Sequence, residues 1–203
     1  AAQPNWLTVG IGDDAAVLQP EQQQTLITTD TLIEGVHFFE GTSAAAIGHK
    51  ALAVNLSDLA AMGAEPKWFT LNLTLPQFNA DWLRSFAKAL HTLAQQHGIT
   101  LIGGDTTRGP LAISITAAGT LPADQKPLLR SGAKVGDVLC VIGTLGLAGL
   151  AVKARQQGQP VAAEQGQALD FPQPQIEAGL LLRGAATAAC DVSDGLLADL
   201  QHI

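Results

Sequence analysis

Between Lys67 and Leu75 the chain alternates Phe69, Leu71, Leu73 and Leu75 with Thr70, Asn72 and Thr74, the period of a strand with one buried face, and Pro76 ends it. The period then changes. From Asp81 to His97, Leu83, Phe86, Leu90 and Leu93 recur at helical spacing behind a cap at Asn79 or Asp81, and Gly98 supplies the stop. Three more apolar runs read as strands: residues 24 to 30, ending at Asp30, residues 99 to 104, and residues 111 to 121. Ser43 to Met62, rich in Ala and Leu and closed by Gly63, reads as a second long helix.

The order strand, helix, strand, helix, strand, strand predicts an α/β (α+β) domain in which long helices cover one face of a sheet. This domain takes residues 1–122. Residues 123–137, with their Pro, Gly and charged positions, read as a linker. A strand at Val138 to Ile142 is expected to open a second α/β domain over 138–203, with a helix beginning near Leu196 and no finish in sight.

Composition narrows the function classes. Hydrophobic residues make up 47% of the 203 and charged residues 14%, far from a chain too polar to fold. The apolar run Val138 to Ala151 is too short for a bilayer and is interrupted by Gly143, Gly146 and Gly149, so no membrane partner is expected. Nothing in AAQPNWLTVG has the look of a secretory signal, which makes cytoplasm the expected location. Cys140 and Cys190 form no CxxC pair and read as buried thiols. A formal net charge of -7 without a basic stripe argues against nucleic acid.

Seven of the twelve aspartates stand in short Gly-, Ser- or Thr-rich contexts at the ends of expected elements: Asp13, Asp14, Asp30, Asp58, Asp105, Asp191 and Asp194. Each taken singly is accounted for as a cap or turn former. Asp58 fits that account least, because AVNLSDLAAMG is a helical pattern and Asn, Ser and Asp are poor helix formers. Asn55 and Asp58 share a face, which is either solvent-facing or functional. If the seven converge, they need cations between them, and Mg²⁺, which bridges carboxylates to substrate phosphates, is the natural one. Neither GxGxxG nor GxxxxGK[ST] occurs, so a nucleotide must be bound by other means. Arg108 and Arg130 read either as solvated groups or as phosphate contacts, His37 as a packing histidine, and Gly143 to Gly149 as a phosphate loop or a turn.

In order and spacing, GIGDDAAV, TTDTLIEGVHF, KALAVNLSDLAAMGA, LIGGDTTRGP, RSGAKVGD and CDVSDGLLADLQHI resemble the thiamine-monophosphate kinase family. Its superfamily includes aminoimidazole ribonucleotide synthetase, selenophosphate synthetase and a hydrogenase maturation factor. The resemblance runs from Val9 onward; NLSDLAAMGA marks the superfamily, and GVHF with GGDTTRG points to the kinase.

By matching positions the resemblance implies Mg²⁺ sites built from Asp14, Thr28, Thr29, Asp30, Asp58, Asp105, Asp191 and Asp194, with Asp13 assisting. It implies ATP contacts from Gly104, Asp105, Arg130 and Ser193, and contact of His37 with thiamine monophosphate. Catalysis is expected to rest on Asp30, Asp58, Asp105 and Arg130, by direct in-line transfer of the γ-phosphoryl group to give thiamine diphosphate. The resemblance also implies a homodimer joined through the N-terminal mixed sheets, and an active site in the cleft before the second domain. It leads one to expect about 20 further residues before GIGDD, about a hundred after DLQHI, and a longer loop between Gly146 and Leu147.

Overall fold

β6 (Ala112–Pro122) pairs with a neighbour on each side over nearly its whole length, and this double pairing organises the sheet. The structure, a computed structural model, describes residues 4–11, 15–19 and 23–203. The expected sites Asp13 and Asp14 lie outside the described residues. The four-stranded sheet has the order β3-β6-β4-β5, with β3 spanning Gln23–Ile33, β4 Glu65–Leu75 and β5 Thr100–Arg108. β6 runs antiparallel to β3 and β4, whereas β4 and β5 are parallel and joined by a helix, so the sheet is mixed. A separate small pair, β1 (Leu7–Val9) with β2 (Val17–Leu18), lies outside this sheet and was not expected from the periodicity.

Two helices cover one face. α1 (Ala44–Ala61) starts where the Ser43 hydroxyl accepts from the Ala46 amide at 3.2 Å, and turns off at Gly63, whose φ of 67° suits glycine. α2 (Ala80–Gln96) is capped by Asn79, whose carbonyl oxygen accepts from the amides of Asp81 and Trp82. Between helices and sheet, Phe69, Ile113, Ile115 and Ala117 join Leu52, Leu56, Phe86 and Leu93 in one buried cluster. The register sets which strand residues share that face: Thr28 stands opposite Ala117 and Asp30 opposite Ile115. Thr28 and Asp30 therefore point toward the helix side, and Thr29 and Thr31 toward the open side.

Two strands run past their expected ends. β3 continues through Asp30 to Ile33, and β5 through Gly104 to Arg108, because β6 and β4 offer partners along the whole of each. The expected strand at Val138 to Ile142 is not formed. Residues 123–146 hold no helix or strand, and Val138, Leu139, Val141 and Ile142 are all exposed. An apolar run cannot make a strand without a neighbour to receive its amides, and none lies beside this stretch among the described residues.

Four further helices follow: α3 (Leu147–Gln156), α4 (Ala163–Asp170), α5 (Ile176–Leu182) and α6 (Leu196–Leu200). Both terminal nitrogens of Arg155 grip the Asp170 carboxylate and tie α3 to α4. α5 lies on α1, and its Ile176 joins the main core. No helix among the described residues is long and apolar enough to cross a membrane.

Candidate active site

The middle of β3 and the C-terminal half of α1 meet where the Thr28 hydroxyl donates to the Asp58 carboxylate. Asp58 occupies a helical position because the surrounding Ala and Leu residues carry α1 into the core, which leaves its polar face to meet the sheet. That face is not solvent-facing: Asn55 is wholly buried, with its amide nitrogen donating to the Ala51 carbonyl at 3.0 Å, and Ser57 and Asp58 are half-buried. Asp30 lies two residues along β3 from Thr28. Burial pushes its carboxyl above the ordinary 3.8, Asp58 and Asp191 push it further the same way, and His37 opposes them.

Two loop segments close over this pair. The Leu128 amide donates to the Met62 carbonyl at the end of α1, at 3.1 Å, and the Leu129 carbonyl accepts from Ala189 at 3.0 Å. These bonds lay residues 128–130 beside residues 189–191 and bring Arg130 to Asp191. The Asp191 carboxyl is also raised, by burial first and by Asp58 next, while a hydrogen bond with Ser57 and the charge of Arg130 act against the rise. A cavity of about 390 Å³ opens here, lined by Thr28, Asp58, Met62, Leu129, Arg130 and Asp191 among others.

Beyond Asp191 the chain turns through Ser193, Asp194 and Gly195 into α6. All three amides donate to one oxygen of Asp199, at 2.9, 3.0 and 3.0 Å. Asp199 is not among the seven aspartates in Gly-, Ser- or Thr-rich contexts, yet it is 6% exposed. Its place in DGLLADL, four residues after a glycine and inside an apolar helix pattern, was the available signal.

The other expected residues are distributed as follows. Thr29 is on the open face, donating to the Ile115 carbonyl at 3.1 Å and meeting the Thr116 hydroxyl at 3.1 Å. Asp105 is exposed and stands in the row Thr31, Ser114, Asn72, Asp105, on the open face and on the far edge strand from Asp30. Three strand spacings separate those edges, about 14 Å. Gly104 shares the helix-side row with Asp30, and a side chain there would lie 1.9 Å from the Leu71 carbonyl oxygen. His37 is exposed in the turn after β3, its Nδ1 accepting from the Ile33 amide at 3.0 Å, which leaves the proton of the neutral ring on Nε2. Ser193 and Asp194 are exposed, with their amides committed to Asp199. Thr28, Asp30, Asp58, Asp191 and Arg130 are thus brought together, and Thr29, Gly104 and Asp105 stand apart from them in this chain.

Two carboxyls, Asp30 and Asp191, held above the ordinary carboxylate value by burial and by the Asp58 charge beside them, call for a cation. Among the described residues no three acidic, histidine or cysteine side chains close tightly enough to enclose an ion by themselves. The all-oxygen set of Thr28, Asp30, Asp58 and Asp191 fits Mg²⁺, which is usually held by one or two carboxylates together with water and substrate phosphate. Arg130 adds a fixed cation at the cavity wall, suited to a phosphate oxygen.

Comparison with known proteins gives consistent matches. Residues 12–121 match the family described as AIR synthase related protein, N-terminal domain. The CAF17 C-terminal β-barrel domain matches residues 110–176, a span that here holds β6, α3 and α4 and no barrel. The thiamine-monophosphate kinase of Salmonella typhimurium is 49% identical over 203 residues, covering 96% of this chain and 61% of that protein. The crystal structure of thiamine-monophosphate kinase from Stenotrophomonas maltophilia superposes with a TM-score of 0.92 at 50% identity, covering 98% of this chain and 66% of that one. AaThiL complexed with AMPPCP and TMP superposes at 0.83 and 30% identity, covering 95% of this chain and 63% of that one. The chain thus spans about three-fifths of the length of the curated relatives it matches.

Proposed function

The chain belongs to the AIR synthase related family, and on that footing we propose that it is the N-terminal part of a Mg²⁺-dependent kinase that transfers the γ-phosphoryl group of ATP to thiamine monophosphate. The observation that carries the reading is the meeting of Thr28, Asp30, Asp58 and Asp191 on the helix side of the sheet, with Arg130 on the wall of the same cavity. The names of the relatives supply the substrate pair. They favour the kinase over the sister ATP-dependent synthetases.

The acceptor is a phosphate oxygen that is already largely anionic near neutral pH, since a phosphomonoester's second pKa is about 6. No general base is therefore required of the protein. Bound Mg²⁺ would neutralise the charge spread over the transferred group. Asp30, Asp58 and Asp191 would hold the metal, with the Thr28 hydroxyl fixing the orientation of Asp58. Arg130 would steady the nucleotide, and His37, at the end of β3, would face the thiamine phosphate. Ser193 and Asp194 would extend the site from the turn before α6. The chain's contribution is positioning and electrostatics, which is what a direct in-line displacement needs.

Asp105, Gly104 and Thr29 enter this reading as contacts made on nucleotide binding or across a dimer. A homodimer joined through the open face of the sheet is supported by the described residues leaving that face uncovered, with Ile27 64% and Ile33 39% exposed. Asp13 and Asp14 complete the proposed metal set. The domain division at 1–122, 123–137 and 138–203 and a cytoplasmic location remain part of the same reading.

The test is to incubate the intact protein with ATP, Mg²⁺ and thiamine monophosphate and to quantify thiamine diphosphate, with Asp58→Asn in parallel. Product from the parent, reduced about 100-fold or more in the variant, is the expected result. Mg²⁺-dependent ATP binding without product would move the activity to a sister enzyme, and failure to bind ATP would sink the catalytic reading.

A further inference from the structure

Among the described residues Asp199 is the only buried ionisable side chain. Its carboxylate faces no lysine, arginine or histidine at ion-pair distance among them; its Oδ2 instead accepts three successive amides, those of Ser193, Asp194 and Gly195. Consecutive N–H groups converging on one anion form a nest, an arrangement that holds a loop in one shape. The backbone of Asp199 acts too: its carbonyl accepts the Cys190 thiol, with Sγ to O at 3.7 Å. One residue therefore anchors the chain on both sides of Asp191, at Cys190 before it and at Ser193 after it.

The helix context strengthens the point. α6 begins at Gly195, whose φ of 111° suits glycine, and that residue has no side chain to cap the helix. The acceptor comes from inside the helix and reaches back over its own start, so the helix and the loop that carries Asp191 are locked as a unit.

We propose that Asp199 is a positioning residue for the metal site, holding the 190–195 loop so that Asp191 is presented to Asp58. This rests on the metal-dependent reading above. A group that orients a metal ligand commonly changes metal affinity by about 10- to 100-fold when altered, without touching the ion.

The experiment is a Mn²⁺ titration of the metal-free intact protein, followed by electron paramagnetic resonance, with Asp199→Ala and Asp199→Glu beside the parent. Asp199→Glu keeps the charge and moves the acceptor by one methylene. Both variants are expected to bind Mn²⁺ about 10- to 100-fold more weakly, with Asp199→Glu keeping the parent's circular dichroism and its metal-free melting temperature within a few degrees. Parental Mn²⁺ affinity in Asp199→Glu, or in a folded Asp199→Ala, would overturn the proposal, as would loss of affinity in step with loss of fold in both variants. Parental Mn²⁺ binding without phosphorylation of thiamine monophosphate would sink the kinase reading alone, and a parent that binds no Mn²⁺ would overturn both.

Discussion

Thr28 donates its hydroxyl proton to Asp58 and so couples β3 to α1 at the floor of the cavity. The bond leaves the carboxylate's other lone pairs for a cation while fixing its orientation. Replacing Thr28 by Val keeps the shape and removes the donor. Steady-state assays should then give a Mg²⁺ half-saturation about tenfold higher, with a smaller change in kcat at saturating metal. Unchanged Mg²⁺ dependence would mean that the bond supports packing only.

The raised carboxyls of Asp30 and Asp191 give a pH dependence with a definite sign. Each binds its proton more tightly in the folded state than in the unfolded chain, where the ordinary value is 3.8. Their contribution to stability is therefore present below 3.8 and lost as pH rises through the higher folded values. In the absence of metal, Asp30→Asn or Asp191→Asn should melt at a higher temperature than the parent at neutral pH. Thermal stabilisation by Mg²⁺ should also be larger at pH 7.5 than at pH 5, about the working range for such scans. Calorimetry that finds equal Mg²⁺ stabilisation at both values would contradict the repulsion.

Gly104 is required by the backbone whether or not it meets a nucleotide. It sits in β5 at φ 152°, beyond a register shift, and an added Cβ would meet the Leu71 carbonyl oxygen at 1.9 Å. Gly104→Ala should destabilise the fold by about 2–4 kcal/mol through backbone strain and overpacking. Chemical denaturation measures it; a change under about 0.5 kcal/mol would show that β5 shifts freely at this point.

Arg130 is exposed, and its charge is felt by Asp191 and Cys190. Arg130→Ala should raise the KM for ATP about tenfold while the melting temperature stays within a few degrees. Arg130→Lys should recover only part of the loss, because an ammonium cannot make the planar paired contact. Full recovery by lysine would reduce the role of Arg130 to that of a point charge.

The elements with strong periodicity were legible from the chain alone. Alternation in β4, helical spacing in α2, the cap at Asn79 and the stops at Gly63 and Gly98 follow from local backbone chemistry that neighbouring residues decide. The string NLSDLAAMGA likewise stood out, because Asn, Ser and Asp are poor helix formers inside an Ala/Leu pattern, but by itself it left a solvent-facing and a functional face equally open. What needed a distant partner was not legible. The lengths of β3 and β5 depend on the strands beside them, and residues 138–142 stay unpaired because no strand among the described residues lies alongside.

The same distinction divides the site. Local context singled out Asp30, Asp58, Asp105 and Asp191, and the family resemblance added Thr28 and Thr29, but neither carried information on which faces they share. Register resolved that: a period of two sends Thr28 and Asp30 toward α1 and Thr29 toward the open face, and the order of strands holds Asp105 at the far edge. For Asp199 the local signal, a place in DGLLADL four residues after a glycine, is weak, and its role comes from a turn of chain that folds its own preceding amides onto the carboxylate. Composition and local pattern determined the elements and the kind of chemistry. Pairing between distant segments, which no local preference encodes, decided which residues meet.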